Sequence, residues 1–155
     1  MLPTDPEKIK QMNDIFKDNR IYAFNTIRTP QFPELRESNP LQKQLIEAWK
    51  NPAYKVFTYT GGNRIGKTTI GAILAICTIL GEWPWSGEKI KFPHSEPRKI
   101  RYIGQAWESH VKAVVEPALK FWWPKRVPVE TRKNNQGVEY LWVSGKRGSI
   151  EILSN

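Results

Sequence analysis

The residues best suited to chemistry lie in the stretch TYTGGNRIGKTTIGA, residues 58–72. Gly61, four intervening residues, Gly66, Lys67 and Thr68 match the Gly-x-x-x-x-Gly-Lys-Thr pattern of a phosphate-binding loop. Glycines let such a loop turn its backbone N–H groups toward an anion without obstructing side chains. A helix that begins near Gly66 directs its own N–H groups at the same phosphates. The pattern therefore predicts a site for a nucleoside triphosphate.

Two side chains of the motif have separate predicted roles. Lys67 bridges the β- and γ-phosphates, and Thr68 holds Mg²⁺ through its hydroxyl group. The motif also requires a strand before the loop and a helix after it. The run YKVFTYT, 54–60, is typical of a buried strand, and KTTIGAILAICTIL, 67–80, of a helix buried on several sides.

Hydrophobic periodicity predicts the other elements that must position the loop. Helices are predicted over 4–20, 41–51 and 107–123, and a second strand over 100–104. Pro117 either kinks the last helix or begins a new one. The alternating runs VEYLWVSG and GSIEILSN, joined by GKRG, predict a β-hairpin. The order strand, glycine loop, helix, strand, helix predicts an α/β domain whose sheet is covered by helices.

Composition narrows the class of protein. The chain has 155 residues, of which 39% are hydrophobic, enough for the core of one domain. Cys77 is the single cysteine, so no disulfide can form within the chain, and its apolar neighbours predict a buried thiol. His94 and His110 lie far apart in the sequence and are not part of a metal-ligand pattern, so the sequence predicts no zinc site. The longest apolar run, near 70–80, is too short to span a bilayer, and the N-terminus has no apolar signal core. We expect a soluble, cytosolic protein with no membrane partner.

The positive charge allows two interpretations. Lys and Arg number 24 against 15 Asp and Glu, which gives a net charge of +9. A polyanion such as nucleic acid is one partner that this charge favours. A basic, solvated domain without such a partner is the other.

Several pieces of the sequence resemble the terminase large subunits of bacteriophages, the ATPases that pump DNA into a procapsid. The string GGNRIGKT is similar to their P-loop, and NPLQKQLIEAW, 39–49, stands where they carry a Gln-bearing adenine motif. GEWPW, 81–85, is similar to a turn that closes the P-loop helix in some members, and 99–119 resembles their second strand and the helix after it.

The resemblance covers about residues 38–155 and implies a division of the chain. Residues 1–37 would be an N-terminal helix and a Pro-rich linker, and 38–155 the N-terminal part of a P-loop ATPase domain. The implied fold is an ASCE-like P-loop NTPase, a three-layer sandwich with an incomplete, parallel-type sheet and an added β-hairpin.

The family also implies a set of site residues. Its cofactors are ATP and Mg²⁺, with Thr68 on the metal and Lys67 and Arg64 as the catalytic groups. Arg64 would sense the γ-phosphate or act as an arginine finger in cis. Gln42 would hydrogen-bond adenine, with Gln44 as the competing choice and a solvated helix face as the alternative for both. The nucleotide contacts implied are Gly61, Gly62, Asn63, Arg64, Ile65, Gly66, Lys67, Thr68, Thr69 and Gln42.

Partners follow from the same resemblance. It implies double-stranded DNA, a portal protein, a small terminase subunit and a homo-oligomeric ring, in the cytoplasm of a bacterial host. Arg98 and Arg101 are candidates for an arginine supplied to a neighbouring subunit. Basic clusters could contact DNA phosphates or simply be solvated. Their members are Lys125, Arg126, Arg132, Lys133, Lys146 and Arg147.

Hydrolysis of ATP needs an acidic pair at the end of a later strand. Asp5, Asp14 and Asp18 all precede the loop, and no Glu after it follows four consecutive apolar residues. We therefore expect an N-terminal fragment of a longer ATPase, which binds nucleotide but does not hydrolyse it alone. The alternatives are a fragment of a superfamily 2-type helicase or translocase, and a non-catalytic nucleotide-binding module.

Overall fold

A computed structural model of the chain describes residues 5–18, 20–24, 39–51, 53–54, 56–60, 65–90, 98–133, 139–143 and 148–154. Its elements in chain order are α1 (Pro6–Asp18), a 3₁₀ helix (Arg20–Ala23), α2 (Pro40–Lys50), α3 (Lys67–Leu80), β1 (Arg98–Gly104), a π-helix (Trp107–Val115), α4 (Glu116–Trp122), β2 (Val129–Lys133), β3 (Glu139–Val143) and β4 (Gly148–Ser154). The chain therefore contains both helices and strands, and this is compatible with the predicted α/β class.

The sheet combines one parallel pair with an antiparallel extension, in the order β1-β4-β3-β2. β1 runs parallel to β4, in register from Arg98 opposite Gly148 to Gly104 opposite Ser154. β3 and β4 pair antiparallel, which confirms the predicted hairpin. β2 pairs antiparallel with β3 and was not predicted, because its sequence VETRK has little of the apolar alternation that identifies a strand.

Helix α3 forms the centre of the hydrophobic core. It contacts β1, β4, α4 and the π-helix. Ile73, Ile76 and Ile79 are completely buried, as expected of a helix that is apolar on several sides. Burial of each such side chain stabilises the fold by about 1.5–3 kcal/mol. The predicted burial of 67–80 is confirmed.

The segment after β1 folds as two helices that meet between Val115 and Glu116, one residue before Pro117. In the π-helix the N–H of Val111 donates to the carbonyl of Ala106 at 2.9 Å, a bond that spans five residues. α4 starts at Glu116 with Pro117 in its first turn, where a proline's missing N–H costs no helical hydrogen bond. Of the two predicted outcomes, Pro117 therefore begins a second helix.

The predicted buried strand over 54–60 is wrong. Residues 56–60 belong to no strand within the described residues, and Val56 is 84% exposed. Phe57 and Tyr59 are half-buried while Thr58 and Thr60 are exposed, so the alternation of a strand is present. A strand also needs a neighbouring backbone to pair with, and local sequence cannot supply that neighbour.

Part of the N-terminal segment belongs to the same core as the rest. α1 confirms the predicted helix near 4–20. Ile21 and Phe24 are completely buried, and the ring of Phe24 lies 5.3 Å from that of Trp122 in α4. Among the described residues, no helix is both long enough and apolar enough to cross a bilayer.

Candidate nucleotide-binding site

The site centres on the residues that open α3. Gly66 is the N-cap, with φ of +84°, a conformation that glycine adopts without strain. Its carbonyl accepts the first intrahelical hydrogen bond, from the N–H of Ile70 at 2.9 Å. Lys67 is exposed, while Thr68 and Thr69 are half-buried. The start of a buried helix therefore presents the lysine and both threonines of the predicted motif.

The first half of the loop is not described. Gly61, Gly62, Asn63 and Arg64 lie outside the described residues. Ile65, the next residue, is half-buried. Of the predicted nucleotide contacts, the structure therefore describes Gln42 and residues 65–69.

Helix α2 holds this half of the loop by side-chain hydrogen bonds. Gln42 Nε2 donates to the carbonyl of Gly66 at 3.3 Å, and Asn39 Nδ2 donates to the carbonyl of Ile65 at 3.2 Å. Both side chains also cap α2. The N–H of Gln42 donates to Asn39 Oδ1 at 2.9 Å, and Gln42 Oε1 accepts from the N–H of Asn39. The same two side chains therefore order the start of α2 and the approach to α3.

Sequence reasoning missed Asn39. The signal for it was present, because Asn-Pro-x-Gln places a good N-cap three residues before a Gln, with proline at the first helical position. What the pattern could not show is that Asn39 also reaches Ile65, 26 positions away in the chain.

The two glutamines that compete for adenine have different environments. Gln42 is 1% exposed, and both ends of its amide are hydrogen-bonded within the protein. Gln44 is exposed and lines a groove of about 430 Å³. In this conformation, only the Gln44 amide is accessible to a ligand from solution.

That groove runs between α2 and the segment that leads into the loop. α2 contributes Leu41, Gln44, Leu45 and Ala48, and the segment contributes Tyr54, Val56, Phe57, Thr58, Tyr59 and Thr60. Thr60 directly precedes Gly61, so the groove reaches the start of the predicted loop. Tyr59 Oη is buried in the described structure without a hydrogen-bond partner. Aromatic walls, an exposed amide and a buried hydroxyl suit a planar, polar-edged ligand.

Arg98 and Arg101, the candidate arginines for a neighbouring subunit, have intramolecular contacts. Arg98 lies against the C-terminal end of α3. A Cβ added to Gly81, which follows α3, would come within 2.5 Å of Arg98 Nη1. The candidate nucleotide site is at the N-terminus of α3, so Arg98 lies at the opposite end of that helix. Arg101 Nε lies 2.8 Å from Glu151 Oε2.

The predicted basic clusters are only partly described. Lys125 and Arg126 are exposed in the turn after α4. Arg132 and Lys133 belong to β2 by their backbone, and Lys146 and Arg147 lie outside the described residues. The site around Gly66 includes none of the described members.

Comparison with protein-family models found no matching family, and comparison with curated proteins and with solved structures found no relative. Among the described residues, no group of three or more His, Cys, Asp or Glu side chains could hold a metal ion.

Proposed function

We propose that the chain is the ATP-binding part of a DNA-packaging motor ATPase of the terminase large-subunit type, built on a P-loop NTPase fold. The observation that carries this proposal is the start of α3. Gly66 there has a positive φ and is followed at once by Lys67 and Thr68 on a buried helix. Gly66 is also so close to Gln42 that a Cβ would come within 2.4 Å of its amide nitrogen. This arrangement fits a backbone cradle for phosphate.

Each described residue has a role in this proposal. Lys67 is exposed and would contact the β- and γ-phosphates, and the hydroxyl of Thr68, the next residue, would hold Mg²⁺. Asn39 and Gln42 donate to the carbonyls of Ile65 and Gly66, so the N–H groups of Gly66 and Lys67 in the same two peptide planes point away from those donors. When bound, ATP with Mg²⁺ would supply the phosphoanhydride bond whose hydrolysis drives movement. Mg²⁺ takes most of its ligands from phosphate oxygens and water in such sites.

The groove between α2 and 54–60 would accept the nucleoside. Its aromatic residues Phe57 and Tyr59 offer apolar surface to a base, and the Gln44 amide offers a donor and an acceptor for the adenine edge. The burial of Gln42 supports Gln44 as the base contact and Gln42 as a residue that positions the loop.

The motor assignment rests on the sequence resemblance and adds partners to the nucleotide site. Double-stranded DNA would be the substrate moved, and a portal protein and a small terminase subunit would be partners of an oligomeric ring. Hydrolysis would require the acidic pair that the sequence between the loop and Asn155 does not offer. We therefore propose nucleotide binding for these 155 residues, and ATP hydrolysis only where such an acidic pair is supplied to the bound nucleotide.

Binding of a fluorescent ATP analogue in the presence of Mg²⁺ tests this proposal. Lys67→Ala is expected to weaken binding at least about tenfold, since it removes a charged contact to phosphate. Lys99→Ala is the matched control, because Lys99 is an exposed lysine on β1. Equal affinity of the Lys67→Ala variant and the unchanged protein would contradict the nucleotide site.

A further inference from the structure

Strand β1 and helix α3 lie side by side and run in opposite directions. A Cβ on Gly81 would come within 2.5 Å of Arg98 Nη1. A Cβ on Gly71 would come within 3.1 Å of Tyr102 Oη. The helix spans about 15 Å between those two glycines, and the strand spans about 13 Å from Arg98 to Tyr102. These two close contacts therefore align the strand with the helix over matching lengths.

The same alignment places the carboxyl end of β1 level with the start of α3. Lys67 lies about 6 Å along the helix axis before Gly71. Gly104 lies about 7 Å along the strand beyond Tyr102. β4 runs parallel to β1 and ends at Ser154, opposite Gly104, so both strands present their carboxyl ends at this edge of the sheet. In open α/β sheets, ligands bind just outside the carboxyl ends of the strands.

Gln105 is the first residue beyond β1, and its backbone is held in place. Its N–H donates to His110 Nδ1 at 3.1 Å. Gly104 before it is buried, and a Cβ there would come within 2.5 Å of Val111 Cγ2, so the turn packs closely on the π-helix. Gln105 itself is exposed. A well-packed turn therefore carries an accessible amide at the carboxyl edge of the sheet.

The groove proposed for the base lies elsewhere around the start of α3. It is lined by α2 and the segment 54–60, and none of its described lining residues belongs to β1 or to the turn after it. A nucleotide with its base in this groove and its phosphates at the start of α3 would have its γ-phosphate as the part furthest from the groove. The γ-phosphate is therefore the part of the ligand that the β1 edge is best placed to meet.

We propose that the side-chain amide of Gln105 donates a hydrogen bond to the γ-phosphate of the bound triphosphate, so that this residue distinguishes ATP from ADP. The amide nitrogen offers two N–H donors. Hydrogen bonds to a charged acceptor are stronger than those between neutral groups. The inference rests on the proposed function, because it assigns a further residue to the same site.

The affinities of the full chain for fluorescent analogues of ATP and ADP, each with Mg²⁺, test this role. Gln105→Ala is expected to weaken ATP binding about fivefold to tenfold and to leave ADP binding within about twofold, since only ATP carries the γ-phosphate. Gln105→Glu should weaken ATP binding more strongly than Gln105→Ala, because a carboxylate repels the phosphate. Both variants keep the backbone N–H that donates to His110.

Gln11→Glu is the matched control. It makes the same chemical change at an exposed position of α1, a helix that packs on the 3₁₀ helix. Both affinities should stay unchanged in this variant. Circular dichroism compares the folding of all variants with that of the unchanged protein, and the exposed position of Gln105 makes its substitutions compatible with the fold.

Lys67→Ala separates failure of this inference from failure of the proposed function. If Lys67→Ala weakens ATP binding while both Gln105 variants leave the ratio of ATP to ADP affinity unchanged, the nucleotide site stands and the role of Gln105 is overturned. Equal weakening of ATP and ADP by Gln105→Ala would also overturn it, because the contact would then involve another part of the nucleotide. Unchanged ATP binding by Lys67→Ala would overturn the nucleotide site and this inference together.

Discussion

Gln42 and Gly66 are joined by a hydrogen bond of 3.3 Å from the buried amide of one to the carbonyl of the other. The same carbonyl accepts the N–H of Ile70, so it links α2, the loop and α3 at one atom. At its other end α2 is tied to the turn after α3, because Lys50 Nζ lies 3.5 Å from Glu88 Oε2. Side-chain contacts thus link both ends of α2 to α3 or to the turn after it, and α2 holds the carbonyls of Ile65 and Gly66 at the start of α3.

Gly66→Ala should destabilise the fold by two separate effects. A Cβ at φ of +84° is strained, and it would come within 2.4 Å of Gln42 Nε2. We expect a loss of about 2–4 kcal/mol in the free energy of unfolding, measured with urea, and weaker nucleotide binding. Gly87→Ala is the matched control, since Gly87 has φ of +72° with no atom within 4 Å of an added Cβ. Equal losses in the two variants would show that the contact with Gln42 is unimportant.

Gln42→Ala and Gln44→Ala should differ in both stability and nucleotide selectivity. Loss of the buried Gln42 amide leaves the carbonyl of Gly66 and the N–H of Asn39 without that partner, at a cost of about 1–3 kcal/mol. Gln44→Ala removes an exposed amide and should leave the free energy of unfolding unchanged within about 0.5 kcal/mol.

The ratio of ATP to GTP affinity then assigns the base contact. We expect Gln44→Ala to bring this ratio closer to one, because a polar edge contact distinguishes the two bases. Gln42→Ala should weaken both nucleotides to the same extent. A selectivity change in the Gln42 variant alone would make Gln42 the adenine contact after all.

Arg98→Ala should destabilise the protein more than Arg101→Ala. Arg98 is half-buried and places a positive charge at the C-terminal end of α3, an arrangement that contributes about 0.3–1 kcal/mol in addition to the packing of its stem. The side chain of Arg101 is 63% exposed, and surface ion pairs such as Arg101–Glu151 contribute about 0–1 kcal/mol. Urea unfolding of both variants measures the difference. An Arg98→Ala variant as stable as the unchanged protein would remove the structural role assigned to this residue.

Cys77 should resist thiol reagents while the protein is folded. Burial raises the pKa of this thiol well above its ordinary value of 9.0, and the side chain is completely inaccessible. Labelling by a chromogenic disulfide reagent at neutral pH should therefore proceed only as fast as the protein opens, and urea should accelerate it. Native labelling at the rate of a free cysteine would contradict this.

The same residue predicts a dependence of stability on pH. The folded state keeps the thiol proton more tightly than the unfolded state does, so the contribution of Cys77 is fully present below pH 9 and is lost as the pH rises above it. The free energy of unfolding should decrease in that range, and Cys77→Ala should show a smaller decrease. An equal decrease in the variant would assign the effect to other groups.

Much of the fold was predictable because its signals are local. The apolar length of 67–80 requires a buried helix whatever surrounds it, and the alternating runs around GKRG specify a hairpin through nearest neighbours. Pro117 lacks an N–H, so a helix can begin but not continue through it without loss. The glycine conformation at Gly66 was predictable from a local signal as well, because a positive φ depends on that residue alone.

Other features were decided by residues far apart in the chain. Local sequence could not show that 56–60 has no ladder partner in the described structure, nor that β1 pairs in parallel with β4, about fifty positions later. The contact of Arg20 with Phe121 likewise exists only because the 3₁₀ helix packs on α4.

The two glutamines of α2 show most clearly what the sequence determined and what only tertiary packing decided. The sequence by itself determined that an amide-bearing helix precedes a Gly-Lys-Thr motif and that the helix after it is apolar. It favoured Gln42 over Gln44 only through the family resemblance, because both are polar residues on one short helix. Only the tertiary structure turned Gln42 inward to a carbonyl 24 positions away and left Gln44 at the groove. The physical reason is that helix rotation is set by packing against distant residues, and the rotation decides which amide is buried and which can meet a ligand.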